Sequence, residues 1–286
     1  MTDFVLSLLR GAYFGVLAGG FLFFLLWESG APRRLFADPA ARRRHILRNF
    51  GCFALVVLIA DAFFGSVLLR SWQFVSTAPE GLLTRLDLGW PSQLAIGIVV
   101  IDLLYYGWHR LAHAVPALWR LHRVHHSDTH LDVTTSSRFH PFEVCISIAL
   151  VVGVLLVLGI PLWVELARTL IVHPLIMAQH ANVAFSGRSE AWLRPFIVTP
   201  ALHRLHHSVV TVEHDANYGQ LFSLWDRWFG TLRHTPSAGA VGVAGFEGDR
   251  WQTVRGMLLT PFVSVPAAAD RPSAPPLPVR PGAPRH

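Results

Sequence analysis

Histidines form the clearest chemical pattern in this sequence. Of its 16 histidines, 12 lie between His109 and His207. Two segments share one spacing, in which a histidine is followed by others three and four residues later, and a third segment places two histidines four residues apart. These segments are His122–His126, His203–His207 and His109–His113. On a helix each segment presents its imidazoles on one side. Eight ring nitrogens could therefore converge, which is too many for one metal ion and suitable for two.

Such a dense cluster favours a bound metal. Crowded imidazoles repel one another once they are protonated, which happens as the pH falls through about 6.5, and a bound cation removes that cost. A single histidine is more often a surface residue or a satisfied core residue. We assign that ordinary role to His45, His130, His214, His234 and His286.

The residue types leave the identity of the metal open. Structural zinc sites close with four ligands that commonly include cysteine, whereas Cys52 and Cys145 lie in apolar runs away from the histidines. A site made only of nitrogen ligands suits iron, copper or zinc. Bis-histidine haem would need single histidines on facing membrane spans, and these motifs lie in arginine-bearing segments outside such spans.

Apolar helices must position these histidines. Hydrophobic residues make up 52% of the chain and charged residues only 15%, against roughly 25% charged residues in soluble domains. Residues 4–27, 51–69 and 88–108 can each cross a bilayer of about 30 Å. Residues 144–177 are also apolar, but Gly159-Ile160-Pro161 interrupts them, so we predict a hairpin of two short helices. The predicted fold is an all-α integral membrane protein with about three transmembrane helices plus this hairpin.

The N-terminal run is interpreted as a retained helix. A cleaved signal peptide would begin with positive charge, whereas Asp3 stands near the start of this chain.

Loop charges predict the topology. Residues 28–48 contain six arginines against two acids, whereas the charges of residues 70–87 cancel. By the positive-inside rule the first loop is cytoplasmic, which brings all the histidine motifs to the cytoplasmic side. The net charge of +6, all of it from arginine, is explained by this topology, and we expect no nucleic-acid partner.

Together these motifs resemble the fatty acid hydroxylase superfamily, the group that includes sterol desaturases and alkylglycerol monooxygenases. Beyond the three histidine segments, the resemblance rests on His180-Ala181-Asn182, on Asn217-Tyr218-Gly219 and on residues 225–231. Pro200-Ala-Leu before His203 and Ser208 after His207 also match. The resemblance runs from about Asp102 to Thr231, nearly half of the chain.

The resemblance implies a non-haem di-iron enzyme that uses O2 as co-substrate and whose histidine ligands lie on a cytosolic helical cap over a short helical bundle. Nine histidines match the family's ligand motifs: His109, His113, His122, His125, His126, His180, His203, His206 and His207. Some members have a second histidine four residues before the one that matches His180, where this chain has Ile176. His173 could replace that ligand or simply face the helix bundle, and we weigh the two roles equally. His140 also lies in a segment that resembles the family. We interpret it as a residue that supports a metal ligand or that has a structural role.

Two carboxylates could orient the ligands. A metal-bound histidine usually donates its other ring nitrogen to a carboxylate or a carbonyl. Asp102 lies two helical turns before His109 on the same face, and we favour this role over an ion pair with an arginine of another helix. Glu143 could hold a ligand ring or a structural arginine such as Arg138.

The three predicted domains follow from this organisation. Residues 1–87 form the N-terminal transmembrane helices and the arginine-rich loop, residues 88–235 the fatty acid hydroxylase-like catalytic domain, and residues 236–286 an extension that ends in a disordered, proline-rich tail over the last 26 residues.

The expected reaction is O2-dependent hydroxylation of a membrane lipid, with desaturation by the same site as the alternative. The choice of hydroxylation rests on the breadth of the family. Electrons would come from an external donor, ferredoxin-like or cytochrome-type, because the sequence has no dinucleotide-binding motif. A membrane zinc-binding protein and a metal transporter are the rivals, although a transporter would place its histidines within the spans. The expected location is a bacterial inner membrane with the active site on the cytoplasmic side.

Overall fold

The computed structural model describes residues 3–77, 82–86, 88–234 and 239–264, and these residues contain helices but no β-strand. The long helices are α1 (Asp3–Gly30), α2 (Pro39–Thr77), α4 (Trp90–Ala114), α5 (Pro116–His126), α6 (Pro141–Leu158) and α7 (Leu162–His180). The short helices are α3 (Leu82–Arg85), α8 (Gly187–Leu193), α9 (Pro200–His206), α10 (Thr211–His214), α11 (Leu224–Trp228) and α12 (Val254–Leu259). Three 3₁₀ turns cover Val133–Ser137, Asp249–Gln252 and Thr260–Phe262.

Four segments are long and apolar enough to cross a membrane: Gly11–Gly30, Pro39–Ala62, Trp90–Ala114 and Pro141–Leu158. The last segment, α6, is the first arm of the predicted hairpin. Gly159 ends α6 with a φ of 63°, a left-handed conformation that glycine adopts at little cost. Pro161 then precedes α7. The all-helical membrane fold and the break in the hairpin therefore agree with the sequence prediction.

Helix α2 begins earlier than expected. The sequence prediction placed residues 28–48 in a loop and began the second span at residue 51, whereas α2 starts at Pro39. Pro39 suits the first position of a helix, and the Asp38 carboxylate accepts from the backbone N–H of Ala41 at 2.6 Å. The alanines and arginines that follow are good helix formers. Most of the arginines of this region therefore lie on the first turns of α2.

The helices converge where α4 and α7 end. Helix α7 packs against α1 and α4, while α2 packs against α6. Ile101 of α4 is buried together with Leu155 of α6 and Val164 of α7. Val115 both ends α4 and precedes α5, so the chain turns sharply and brings the face of α5 back over the end of α4.

The C-terminal extension packs against the back of α5. Arg123 is fully buried, donates hydrogen bonds to the backbone carbonyls of Thr260 and Val263, and lies 4.7 Å from the ring centre of Phe246. The predicted proline-rich tail lies outside the described residues except for residues 261–264, which follow on from α12 through the last 3₁₀ turn.

Candidate metal centre

The nine histidines singled out by their motifs gather into two groups. The five-histidine group comprises His109, His113, His122, His126 and His206, and the four-histidine group comprises His125, His180, His203 and His207. Within each group one ring nitrogen from every residue lies within 4.8 Å of the others.

Helices α5 and α9 each supply both groups. On α5, His122 and His126 belong to the five-histidine group and His125 to the other. The α9 segment does the reverse, because His203 and His207 belong to the four-histidine group and His206 to the other. At 3.6 residues per turn, residues four apart are rotated by about 40° and residues three apart by about 60° in the opposite sense. In each motif the first and last histidines therefore point to one group, and the histidine between them points to the other group.

Two rings of the five-histidine group face each other through Nε2 atoms that cannot form a hydrogen bond with one another. His109 Nδ1 donates to the carbonyl of Tyr218 at 2.8 Å, and His206 Nδ1 donates to the carbonyl of Ala216 at 2.7 Å. In neutral rings each Nε2 then carries a lone pair, yet the two Nε2 atoms lie 2.9 Å apart. Two nitrogens held at about 2.1 Å from one cation at a right angle would be about 3.0 Å apart. The pair therefore fits a shared metal ion.

Outward hydrogen bonds orient most of the other rings of this group. His122 Nδ1 donates to Glu143 Oε1 at 2.6 Å, and His113 Nδ1 donates to Asp215 Oδ1 at 3.2 Å. The Nε2 atom of His126 lies 3.1 Å from that of His122 and 3.2 Å from that of His113. Four of the five rings are thus turned so that Nε2 faces the centre of the group.

The four-histidine group is also convergent but has fewer outer partners. His203 Nε2 lies 2.8 Å from His180 Nε2 and 3.2 Å from His207 Nε2. His180 Nδ1 donates to the carbonyl of Ile176 at 2.8 Å. The buried Nδ1 atoms of the three other rings have no hydrogen-bond partner among the described residues; these rings are His125, His203 and His207.

Burial favours the neutral form of the three histidines of the α9 segment. It lowers the pKa of His203, His206 and His207 well below the ordinary value, and the neighbouring imidazoles lower it further. Neutral rings offer lone pairs at physiological pH, so the donor set is ready for a cation.

A cavity of about 330 Å³ touches both histidine groups. His109 and His122 of one group and His180 and His203 of the other line it. Much of the remaining wall is apolar and comes from α1, α2, α6 and α7: Leu17, Phe21, Phe53, Val56, Ile148 and Ile176. Ligand pockets in proteins measure roughly 300 to 1,000 Å³, so this cavity is large enough for part of a hydrocarbon chain.

The sequence offered four additional candidates near the site, His140, His173, Asp102 and Glu143. Of these, Glu143 is the one whose side chain forms a hydrogen bond with a histidine of the two groups.

Asp102 does not hold a histidine ring, contrary to expectation. Its carboxylate accepts from the backbone N–H groups of Leu221 and Phe222 and from Trp225 Nε1, at 2.7 to 3.0 Å. These three donors lie in a chain segment that buries its backbone against α4, and they take up the carboxylate on the face where a partner of His109 was expected.

His140 and His173 belong to neither histidine group. His140 caps α6, because its Nδ1 accepts from the backbone N–H of Phe142 at 3.3 Å. His173 lines the cavity, with its ring centre 5.9 Å from that of Tyr13. Neither position matches that of a ligand in the two groups.

Sequence reasoning missed the acid next to His113. Asp215, His113 and His214 form a third set of possible ligands, and Trp119 stacks on His214 with ring centres 5.3 Å apart. His214 had been assigned an ordinary role. The nearby Asp226 carboxylate accepts from the backbone N–H of Tyr218 at 2.7 Å and so fixes the peptide chain whose carbonyl bonds His109. Only the proximity of Asp215 to the Asn217-Tyr218-Gly219 motif could have pointed to it, whereas Asp226 lies within the segment 225–231 that already carried the resemblance.

A second missed feature is a buried polar network behind the four-histidine group. His45 Nε2 lies 3.6 Å from Asp128 Oδ2 and 3.4 Å from Asp132 Oδ1. Burial alone would raise the pKa of Asp128, but His45 and Arg138 outweigh it and lower that pKa. The network ties α2 to the chain that leaves α5, and its signal in the sequence was the pair of acids soon after His126.

Comparisons with known proteins agree with the resemblance. Residues 94–231 match the family model described as fatty acid hydroxylase. The chain is 36% identical over 179 residues to an ornithine lipid hydroxylase of Rhizobium tropici, which covers 60% of this chain and 53% of that relative. It is 28% identical over 161 residues to an alkylglycerol monooxygenase of Danio rerio, covering 51% of this chain and 32% of the relative.

A further relative is a Delta(7)-sterol 5(6)-desaturase of Aspergillus fumigatus, which is 27% identical over 195 residues. The match covers 59% of this chain and 59% of that relative. The chain thus spans less than two thirds of the length of each of these three relatives. No solved structure matches it.

Proposed function

Through residues 94–231 the chain belongs to the fatty acid hydroxylase family, and we propose that it is a membrane-bound di-iron oxygenase that hydroxylates a C–H bond of a lipid. Its relatives are lipid hydroxylases, monooxygenases and a sterol desaturase. The observation that carries the proposal is the opposition of His109 and His206, whose Nε2 atoms face each other at 2.9 Å beside an apolar cavity.

The nine histidines would hold two iron ions, one in each group. Donor chemistry supports this assignment, because both groups consist of imidazoles without a thiolate, and nitrogen-rich sites suit iron. Bound there, iron would supply the reduction of O2 and the oxidation of an unactivated C–H bond.

The protein's own part is to hold the ligands and to exclude water. The carbonyls of Tyr218 and Ala216 and the carboxylate of Glu143 each accept a hydrogen bond from a histidine Nδ1–H group, so the Nε2 lone pair of each ring points inward. Outer partners of this kind raise the basicity of the ligands and fix their orientation. The apolar wall of the cavity would take up the lipid chain and displace water from the site.

The reaction needs partners that this chain does not supply. One oxygen atom of O2 would enter the lipid and the other would leave as water, which consumes two electrons and two protons. We propose that a ferredoxin-like or cytochrome-type protein delivers the electrons on the cytoplasmic side of a bacterial inner membrane. The arginines between Arg33 and Arg48 support this topology.

Desaturation is the second candidate, supported by the similarity to a sterol desaturase. The product separates the two reactions, because hydroxylation adds one oxygen atom to the lipid and desaturation removes two hydrogens.

Metal analysis of the full chain purified without oxygen tests the proposal. We expect about two iron ions per chain, O2 uptake on reduction, and an oxidised lipid in cells that carry the gene and not in cells that lack it. His206→Ala should abolish the oxidised lipid while the protein still inserts into the membrane. His234→Ala, which changes an exposed histidine, is the matched control. A protein that carries only zinc and takes up no O2 would contradict the proposal.

A further inference from the structure

An ion pair between a buried arginine and a partly buried glutamate in the cavity region takes no part in the proposed ligation of iron. Arg168 of α7 is 2% exposed, and its Nε and Nη2 donate to the two carboxylate oxygens of Glu165 at 2.7 and 2.9 Å. Thr169 donates to the same carboxylate at 3.2 Å. Charged groups within an apolar helical hairpin are costly, and they persist where they are paired and serve a function.

This pair lies close to the five-histidine group. Arg168 lines the cavity, and its guanidinium carbon is 5.2 Å from the ring centre of Tyr105, one helical turn before His109. Its Nη1 donates at 3.3 Å to the side chain of Gln220, which follows Tyr218 by two residues. Both contacts place the guanidinium beside the chain segments that hold His109.

The charge balance of the pair limits what it can recognise. A guanidinium has five N–H groups, and the contacts with Glu165 and Gln220 use three of them. The hydroxyl of Tyr105 is a further partner of Arg168, which leaves one N–H group for an acceptor that enters the cavity. Because Glu165 already neutralises Arg168, an anionic group would bring an uncompensated charge into a buried site, which is costly. A neutral hydroxyl, ester or amide oxygen would gain a hydrogen bond to a charged donor without that cost.

We infer that Arg168, neutralised by Glu165, binds a neutral oxygen of the lipid substrate and selects such lipids over hydrocarbons and over free carboxylates. The inference rests on the proposed function for the identification of the cavity ligand as the substrate. The apolar wall takes the hydrocarbon part of that ligand, and Arg168 takes its oxygen.

Three probes that share one chain length test this recognition: dodecanol, dodecane and dodecanoate. The full-length, metal-loaded chain is placed in lipid nanodiscs, and apparent dissociation constants are taken from the thermal stabilisation at increasing probe concentration. A hydrogen bond to a charged donor should make dodecanol bind about tenfold more tightly than dodecane. Dodecanoate should bind more weakly than dodecanol. A wild-type protein that does not distinguish dodecanol from dodecane overturns the inference without any variant.

Two variants separate recognition from a structural role. The double variant Glu165→Gln with Arg168→Met removes both charges at similar volume, and it should lose the preference for dodecanol while binding dodecane as before. The single variant Glu165→Gln leaves the charge of Arg168 uncompensated, and it should make dodecanoate the tightest of the three probes. A double variant that keeps the preference, or a single variant that gains no affinity for dodecanoate, overturns the inference.

The binding test is independent of turnover. A chain that oxidises no lipid but still prefers dodecanol would contradict the proposed reaction and leave the recognition site standing. A chain that oxidises lipid without preferring dodecanol would support the proposed reaction and overturn the recognition by Arg168.

Discussion

Removing the carboxylate of Glu143 should weaken metal binding in one histidine group and leave the other unchanged. Glu143 Oε1 lies 2.6 Å from His122 Nδ1, and the two side chains are 4% and 5% exposed. The second oxygen of Glu143 is buried and has no hydrogen-bond partner among the described residues. The carboxylate is therefore placed to act through His122 alone.

The size of the effect follows from this geometry. Loss of an outer partner of a metal-bound histidine typically costs about 10- to 100-fold in affinity, or about 1.4 to 2.7 kcal/mol. The short distance and the burial place Glu143→Ala near the upper end, at about 100-fold. Glu143→Gln keeps an oxygen that can accept from His122 but lacks the charge, so we expect a loss of about tenfold or less.

Competition against a chelator under anaerobic conditions measures the affinity of each group for ferrous ion. The step assigned to the five-histidine group should shift in Glu143→Ala, and the step of the four-histidine group should stay in place. Glu247→Ala, which removes an exposed carboxylate, is the control for a change in net charge. The reasoning fails if Glu143→Ala leaves both steps unchanged or weakens both equally.

Four further predictions concern stability and metal loading. Asp102→Leu removes the acceptor of three buried donors in residues 221–225 and should lower the free energy of unfolding by about 3 kcal/mol or more; an unchanged thermal midpoint in detergent would contradict this role. Without metal, stability should fall as the pH drops below about 6.5, because burial lowers the pKa of His203, His206 and His207 and only the unfolded imidazoles gain protons there. The slope is about 1.4 kcal/mol per pH unit for each such imidazole, and denaturant titrations at two pH values measure it. Chelation of bound metal should lower stability by about 4 kcal/mol where free metal had been a thousandfold above its dissociation constant, as calorimetry would show. The first equivalent of metal should enter the five-histidine group, which has more outer partners, so His206→Ala should lose the tighter site and His203→Ala should keep it.

The sequence predicted the helices well where hydrophobicity decides them. The apolar runs and the break at Gly159 predicted about three transmembrane helices and a hairpin, and the first arm of that hairpin, α6, is the fourth helix of membrane-spanning length. The start of α2 was wrong by more than ten residues, because charged but helix-favouring residues after Pro39 extend the helix beyond the apolar run. Hydropathy reports the apolar part of a helix and does not report where its hydrogen bonding begins.

The histidine motifs predicted a set of residues that the structure brings together, but they could not divide that set into two groups. That division depends on how α5 and α9 lie against α4 and α7, which is a matter of tertiary packing. The same limit explains the error at Asp102, whose spacing from His109 suggested contact while its real donors lie more than 100 residues away in the chain. Backbone acceptors such as the carbonyl of Tyr218 leave no mark in the sequence, since every residue has one.

The crossed assignment of the two repeated motifs makes the groups interdependent. Because α5 supplies His122 and His126 to one group and His125 to the other, a small shift or rotation of α5 changes the ligand positions of both. Arg123 lies between these histidines in the chain, and its guanidinium is bonded to the carbonyls of Thr260 and Val263. Helix α5 is therefore held on one face by the imidazole groups and on another by the C-terminal extension. The extension beyond the segment matched by the family model thus has a physical role in the site, because it fixes the helix on which both groups depend.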